Sequence, residues 1–407
     1  MVKDMNINEY IKNSWKKTIQ KPVNGIPFPF TSPCITDTFL DFFYWDVYFI
    51  NKGLYLDGFE KQAENNINNI AYFIEKLGFM PNANTLTNRS QPPFFAKMVY
   101  DFYEYTQDKG VIKKYLPTLL KEYDFWMTKR VTLCGLNAYG EDSTDAELEE
   151  NYIGLCDRVL EYRETREEQF ALAKDILAMA ESGLDFNMRF VTERSKVDIG
   201  NFVQLDINCI LHEVETLISK MFALLDDTEG AEKFSAFAEK RKNLINEILW
   251  DNENGLYLDY NQKDKCFSKI VTAISLYPYI FGVSDDKEGA KKVLARLEQE
   301  NGLCVGEYRG DNAVYFQWDY PCMWPAATCL VYEGLKKIGL TEDAKRIAKK
   351  YNKVVAYNFQ KTGKIWEKYD AITGEVAQTL QEYGTPEMLG WSAAVYRYFE
   401  EELKNSK

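Results

Sequence analysis

The sequence predicts an all-α fold of paired helices around a central funnel, with short β-hairpins in the connections; a helical solenoid is the structural alternative. Three observations carry this. Apolar residues recur at three-four spacing in several long stretches, turn-rich polar loops separate those stretches, and the aromatic, acidic segments fall between them. Those segments are Phe43-Tyr44-Trp45-Asp46, Arg89-Ser90-Gln91-Pro92-Pro93 and Gln317-Trp318-Asp319-Tyr320-Pro321. Helix pairs with functional residues in the intervening loops fit a closed toroid whose funnel receives a ligand.

In chain order, the first clear helix runs from Val111 to Lys129, with Ile112, Leu116, Leu119, Tyr123 and Trp126 on its apolar face. Gly135 to Tyr152 is polar and acidic and reads as a surface excursion rather than a linker. Asp206 to Leu225 has one continuous apolar stripe through Ile207, Ile210, Leu211, Val214, Leu217, Ile218 and Met221, with His212 beside it. Lys240 to Trp250 follows with Leu244, Ile245, Ile248 and Leu249. Asp251-Asn252-Glu253-Asn254-Gly255 has part of a calcium-loop pattern, but Gly255 falls one position early and the distal Glu is missing, so a turn is expected. Leu256 to Tyr260 alternates as a small hairpin would. Helices are then expected over Ala326 to Ile338, Glu342 to Tyr351 and Leu389 to Leu403. No linker divides the chain, so residues 1–407 read as one catalytic domain with a core over about 25–395.

Composition narrows the function. The formal net charge is −13 and no Lys/Arg block stands out, which opposes binding to nucleic acid or an anionic membrane and favours a neutral small molecule. Eight cysteines (Cys34, Cys134, Cys156, Cys209, Cys266, Cys304, Cys322, Cys329) lie far apart without zinc-site pairs or disulfide-scaffold density, so most are expected to be reduced and buried. Residues 1–17 lack the apolar core of a leader, and no run reaches transmembrane length; together these predict a cytoplasmic protein.

The aromatic segments suggest a carbohydrate site, because aromatic faces stack on sugar rings while carboxylates, amides and guanidinium groups bond the hydroxyls at their edges. His212 is the single histidine, which removes Ser-His-Asp triads, multi-histidine metal sites and two-histidine isomerases. Carboxylate chemistry remains. Glycosidic hydrolysis needs one carboxyl that keeps its proton and one that is ionised. Asp185 follows Gly183, which allows a close turn, and precedes Phe186, an apolar neighbour able to raise a carboxyl pKa. Glu367 sits in Trp366-Glu367-Lys368-Tyr369-Asp370. Each residue also has a duller reading. Trp45, Trp318 and Trp366 suit a core, Arg89 and Asp46 an ion pair, Asn82 and Gln91 loop or cap duties, and His212 a structural role.

Read jointly, these motifs make the chain resemble the trehalase family of glycoside hydrolases from about residue 25 to 395. The resemblance rests on Tyr44 to Phe49, Pro81-Asn82-Ala83-Asn84, Asn88 to Pro93, Glu181-Ser182-Gly183-Leu184-Asp185-Phe186, Gln317 to Pro321 and Glu367-Lys368-Tyr369-Asp370, in the family's order. It implies an (α/α)6 toroid, Asp185 as general acid and Glu367 as general base. It further implies sugar contacts from Trp45, Asp46, Asn82, Arg89, Ser90, Gln91 and Gly183, a looser one from Arg158, and one from Glu382, fifteen residues after the base.

The implied reaction is inverting cleavage of an α-glucosidic bond, with α,α-trehalose the first substrate and no metal or organic cofactor. Its two carboxyls should stand roughly 6.5–9.5 Å apart, and Trp45 and Trp318 should wall the pocket. Departures from the family cluster at subsites: Thr38 replaces an arginine, with Leu40 following, Leu184 replaces a tryptophan, and Cys322-Met323 replaces Asn-Gly. A lost bidentate arginine removes about 1–3 kcal/mol of hydroxyl binding. The alternatives are a related toroid hydrolase of another small α-glucoside or α-mannoside, such as a glucosylglycerate, and an inactive sugar-binding toroid.

Overall fold

A computed structural model describes residues 6–23, 25–36, 38–190, 197–378 and 384–405. Its α-helices in chain order are α1 (Ile7–Thr18), α2 (Tyr44–Asp57), α3 (Glu60–Leu77), α4 (Phe95–Thr106), α5 (Lys109–Lys129), α6 (Asp145–Leu155), α7 (Arg166–Glu181), α8 (Leu205–Leu224), α9 (Thr228–Ile248), α10 (Tyr277–Ile280), α11 (Lys287–Leu297), α12 (Pro325–Lys337), α13 (Thr341–Thr362) and α14 (Gly390–Asn405).

Their packing closes a ring. α2 packs on α4, α4 on α8, α8 on α10, α10 on α12, α12 on α14, and α14 returns to α2. A second helix backs each of these six: α3 on α2, α5 on α4, α9 on α8, α13 on α12, α1 on α14, and α11 against the short 3-10 turn that leads into α10. This is an (α/α)6 toroid, as the sequence predicts, and the alternation of inner and outer helices follows the chain except at α6 and α7, which pack on each other between α5 and α8. The patterning explains which helix goes where. Along α2 every side chain from Tyr44 to Asn51 is buried, as an inner helix apolar on all faces requires. Outer helix α9 buries only the stripe Phe234, Ala238, Arg241 and Ile245. At the seam, Gly53 lets α14 approach α2, since a Cβ there would lie 2.9 Å from the Ala394 Cα.

α5, α8, α12 and α14 lie within two residues of their expected limits. Two elements are longer than the pattern suggests: the helix expected from Lys240 starts at Thr228, and that expected over Glu342 to Tyr351 runs on to Thr362. Both pack on the ring along their extra turns, α13 continuing its buried stripe through Val354, Val355, Asn358 and Phe359. The polar excursion contains α6, started by a capping box between Thr144 and Glu147.

Short antiparallel pairs fill the connections. Trp250–Asp251 pairs with Leu256–Tyr257 around the acidic turn, where Asp251 Oδ1 accepts from the Glu253 and Asn254 backbone. Tyr260–Asn261 joins Phe202–Val203 and Cys266–Phe267 instead of continuing that hairpin. Cys322–Met323 pairs with Tyr369–Asp370, tying the segment after Trp318 to the one that carries Glu367. All eight cysteines are free thiols; six are buried, Cys134 is half-buried and Cys266 exposed. His212 is buried with Nδ1 2.9 Å from the Phe281 carbonyl oxygen, a structural histidine. Among the described residues no helix is long and apolar enough to cross a membrane.

Candidate active site

A cavity of about 280 Å³ opens where the inner helices begin. Three of them bring a tryptophan to it from their first turn or N-cap: Trp45 from α2, Trp324 from α12 and Trp391 from α14. Trp318 completes the set, stacked on Trp324 with centroids 3.8 Å apart and planes at 9°. Trp45 lies 5.8 Å from Trp318 and 5.9 Å from Trp391, the latter edge-on. The result is a rigid aromatic wall of the kind that receives a sugar face.

Helix starts, and not only loops, therefore supply functional side chains. Trp45 and Asp46 were expected between helices, yet they are the second and third residues of α2. The reason is that Phe43 is extended and the loop of Ala83 and Asn84 pairs with it, so the helix begins at once.

The loop from Asn82 to Gln91 is held from both sides. The Asn82 amide nitrogen donates to the Arg89 carbonyl at 2.8 Å, and Gln91 Oε1 accepts from the Trp45 backbone at 3.1 Å. Glu181, fully buried at the end of α7, accepts from Arg130 Nε and Nη2 (2.9 Å each), the Ser90 backbone (2.9 Å) and the Gly140 backbone (2.7 Å). One buried carboxylate thus locks the Arg89-Ser90-Gln91 loop to the turn that carries Asp185. Charge-assisted bonds of this kind are the strong ones in a low dielectric. The sequence marked Glu181 only as part of a motif.

At that turn Gly183 has φ +72°, and a Cβ would lie 2.9 Å from Trp45 Cε2. Only glycine suits both the left-handed backbone and the contact with the indole. The Asp185 carbonyl accepts from Gln317 Nε2, and the Phe186 carbonyl accepts from the Trp318 backbone at 3.1 Å. Asp319 accepts from the Phe316 and Met188 backbones, so the Gln317 to Pro321 segment is sewn to the Asp185 segment.

Asp46, Asp185 and Glu367 all line the cavity. Burial pushes the Asp185 carboxyl up to about 6, against the opposing pull of Arg158 and Arg89 and with a push from Glu367. Burial pushes Asp46 up to about 8, with Glu367 and Asp185 adding to the rise. Glu367 is buried, its backbone fixed by bonds to Pro386 and Ser392, and its Oε2 is 2.7 Å from the Lys368 ammonium. Arg158 lies with its guanidinium 4.2 Å from the centre of the Phe186 ring. Arg89 donates to Asn88 Oδ1 at 2.8 Å, and burial lowers its pKa.

Of the residues singled out from sequence, the cavity collects Asp185, Glu367, Trp45, Asp46, Asn82, Arg89, Gln91, Arg158, Gly183 and Trp318. Ser90 is not on its surface: it is fully buried and its hydroxyl donates to the Met80 carbonyl at 2.7 Å, because the loop turns it inward. Glu382 lies outside the described residues. Trp366 is half-buried beside Thr362 and does not reach the cavity. Thr38 and Leu40 are exposed, while Phe39 between them turns in and meets Phe43 edge-on at 5.8 Å. Trp391, Phe39, Leu86, Leu155 and Met388 were not anticipated. Only Trp391 left a trace in the sequence, a tryptophan opening a helix as Trp45 does.

The chain matches the Trehalase family over residues 1–404. It is 29% identical over 401 residues to a periplasmic trehalase of Pseudomonas aeruginosa, covering 92% of this chain and 72% of the relative. It is 27% identical over 418 residues to a putative periplasmic trehalase of Salmonella typhi, covering 96% and 72%. Among solved structures, the neutral trehalase of Saccharomyces cerevisiae superposes with a TM-score of 0.75 at 22% identity, over 99% of this chain and 81% of that one. A mannosylglycerate hydrolase of Thermus thermophilus, in complex with glucose, superposes with a TM-score of 0.67 at 16% identity, over 97% and 100%. Both superpositions share the toroid. The expectation of a cytoplasmic protein is overturned by the periplasmic naming of the curated relatives. A polar terminal segment and scattered thiols describe how the chain folds, not where it is delivered.

Proposed function

On the premise that the chain belongs to the trehalase family and is a glycoside hydrolase, we propose that it hydrolyses α,α-trehalose to two glucose molecules with inversion, Asp185 acting as acid and Glu367 as base. One observation carries the assignment. Both carboxyls line one tryptophan-walled cavity in opposite electrostatic settings. Asp185, raised to about 6, keeps a proton to give well above the ordinary carboxyl range, up to pH about 6, whereas Glu367 is held against a buried ammonium that favours its ionised form.

In the step itself, Asp185 passes its proton to the interglycosidic oxygen as the bond to the anomeric carbon breaks. Glu367 takes a proton from the water that attacks the opposite face, so one glucose leaves as the β-anomer and the other as the α-anomer. Trp45 and Trp318 receive the ring faces. Asp46, Asn82, Arg89, Gln91 and Arg158 pair the hydroxyls, which must be satisfied once buried. Asp46, neutral below pH about 8, donates a hydrogen bond rather than only accepting one. Gly183 keeps Trp45 in place, Ser90 acts through the loop it anchors, and the role of Glu382 rests on its motif alone. The chain works as one catalytic domain, a reading supported by a buried cluster that runs from Ile11 to Phe399.

Proton NMR of the first-formed anomers from α,α-trehalose tests this. Equal early α- and β-glucose, lost in Asp185→Asn and in Glu367→Gln, is the expected result. Two α-anomers would contradict inversion. No cleavage by the unaltered protein would remove trehalose and turn the assay to other small α-glycosides, glucosylglycerate among them.

A further inference from the structure

Three carboxyls share the cavity, and the charge on each makes ionising the others harder. Three cations stand near them, and they are not shared equally. Arg89 and Arg158 act on Asp185. Lys368 lies apart, outside the cavity lining, with its ammonium 2.7 Å from Glu367 Oε2 and 4.9 Å from the centre of the Trp324 ring. Its side chain is fully buried and that of Glu367 2% exposed. The lysine thus lies buried over the Trp324 ring, beside the cavity lining rather than part of it.

We propose that Lys368 is the positioning residue of the reaction: its ammonium clamps Oε2 of Glu367, orients that carboxylate and holds it ionised among its acidic neighbours. This rests on Glu367 being the base. Acidic groups crowd Glu367, and its charge raises each of them: Asp46 from α2, Asp185 from the turn after α7, and the thiols of Cys34 and of Cys322 on the paired strand. The direct contact with the Lys368 ammonium offsets that crowding at the base. A flexible point charge suits a clamp on one oxygen, whereas the planar fork of an arginine would hold the carboxylate in a different orientation.

The test is the pH dependence of kcat and KM for trehalose in Lys368→Met, Lys368→Arg, Glu367→Gln and the Glu367→Gln/Lys368→Met double variant. Lys368→Met should lower kcat at least about tenfold with KM within about threefold of the parent. Its acidic limb of kcat/KM should move up by at least about one pH unit, because the carboxylate loses an opposite charge. Lys368→Arg should keep the limb in place while kcat stays depressed. An unmoved limb in Lys368→Met, or a loss confined to KM, would overturn the proposal. Should Lys368→Met not fold, the double variant decides, since it removes both buried charges together. Its residual kcat and its trehalose affinity should equal those of Glu367→Gln, and a further loss in either would mean that Lys368 acts other than through Glu367. Full activity of Glu367→Gln would instead remove the base assignment itself, an outcome separate from failure of the lysine.

Discussion

Replacing Asp46 by Asn should stabilise the protein by an amount that grows with pH. In the folded chain Asp46 is 6% exposed, and burial next to Glu367 and Asp185 pushes its carboxyl from 3.8 to about 8. The sign follows from proton counting. Below pH about 4 both folded and unfolded chains carry the proton and the residue contributes nothing to the pH dependence. Between about 4 and about 8 the unfolded chain has released it and the folded chain has kept it, so stability falls as pH rises, by about 1.4 kcal/mol per unit. Asparagine does not titrate. The stability difference between the variant and its parent should therefore rise by about 3 kcal/mol from pH 5 to pH 7 and level off above pH about 8. Urea unfolding at half-unit pH intervals measures it, without sugar, since a ligand bound to the folded state would add its own stabilisation. Activity should drop in the same variant, because a hydrogen-bond donor to substrate is altered. A difference that stays constant with pH, or an Asn variant that is the less stable at pH 7, would refute the account of three crowded carboxyls.

Other outcomes follow from neighbouring geometry. The kcat/KM of the unaltered protein should fall as pH rises through about 6, where Asp185 loses its proton, and Arg158→Met should shift that limb upward by removing the cation that pulls it down. Gly183→Ala meets Trp45 Cε2 at 2.9 Å from a backbone with φ +72°. The left-handed conformation and the overlap together should cost about 2–4 kcal/mol, and the displaced indole should lower kcat/KM at least about tenfold, read by unfolding and steady-state kinetics. Between α2, α4 and α12, Glu333 bonds Lys52 at 2.7 Å and accepts from the Tyr48 hydroxyl at 3.1 Å, and lies 4.0 Å from Lys97; these cations hold it down at about 2. Glu333→Gln removes the shared carboxylate of two half-buried lysines, leaving Lys52 with Asp101 at 3.8 Å, and should cost about 1–3 kcal/mol by urea unfolding, with kcat unchanged while the protein is folded. The parent should keep this contribution above pH about 4.5 and lose it as pH falls toward 2.

Sequence by itself determined the helices with a clear amphipathic stripe and pointed to carboxylates and aromatics that line the cavity. The stripe from Ile207 to Met221 needs no partner to be read, because amphipathic period is a local property, whereas α2, buried on every face from Tyr44 to Asn51, offers no stripe and is not legible as a helix from period alone. Motif order determined the family and, through it, the toroid. Tertiary structure alone decided the rest. That α14 returns to α2 depends on a close approach at Gly53, which no periodicity encodes. That Trp391 and Phe39 face the same space as Asp185 depends on segments more than a hundred residues apart in sequence. Ser90 turned away from the cavity because Met80 offered its hydroxyl a carbonyl, and Lys368 met Glu367 rather than solvent because the strand pair of Met323 and Tyr369 carries both into the interior. Which carboxyl keeps a proton is set by burial and by the cation beside it. Both are properties of the closed ring and not of any motif.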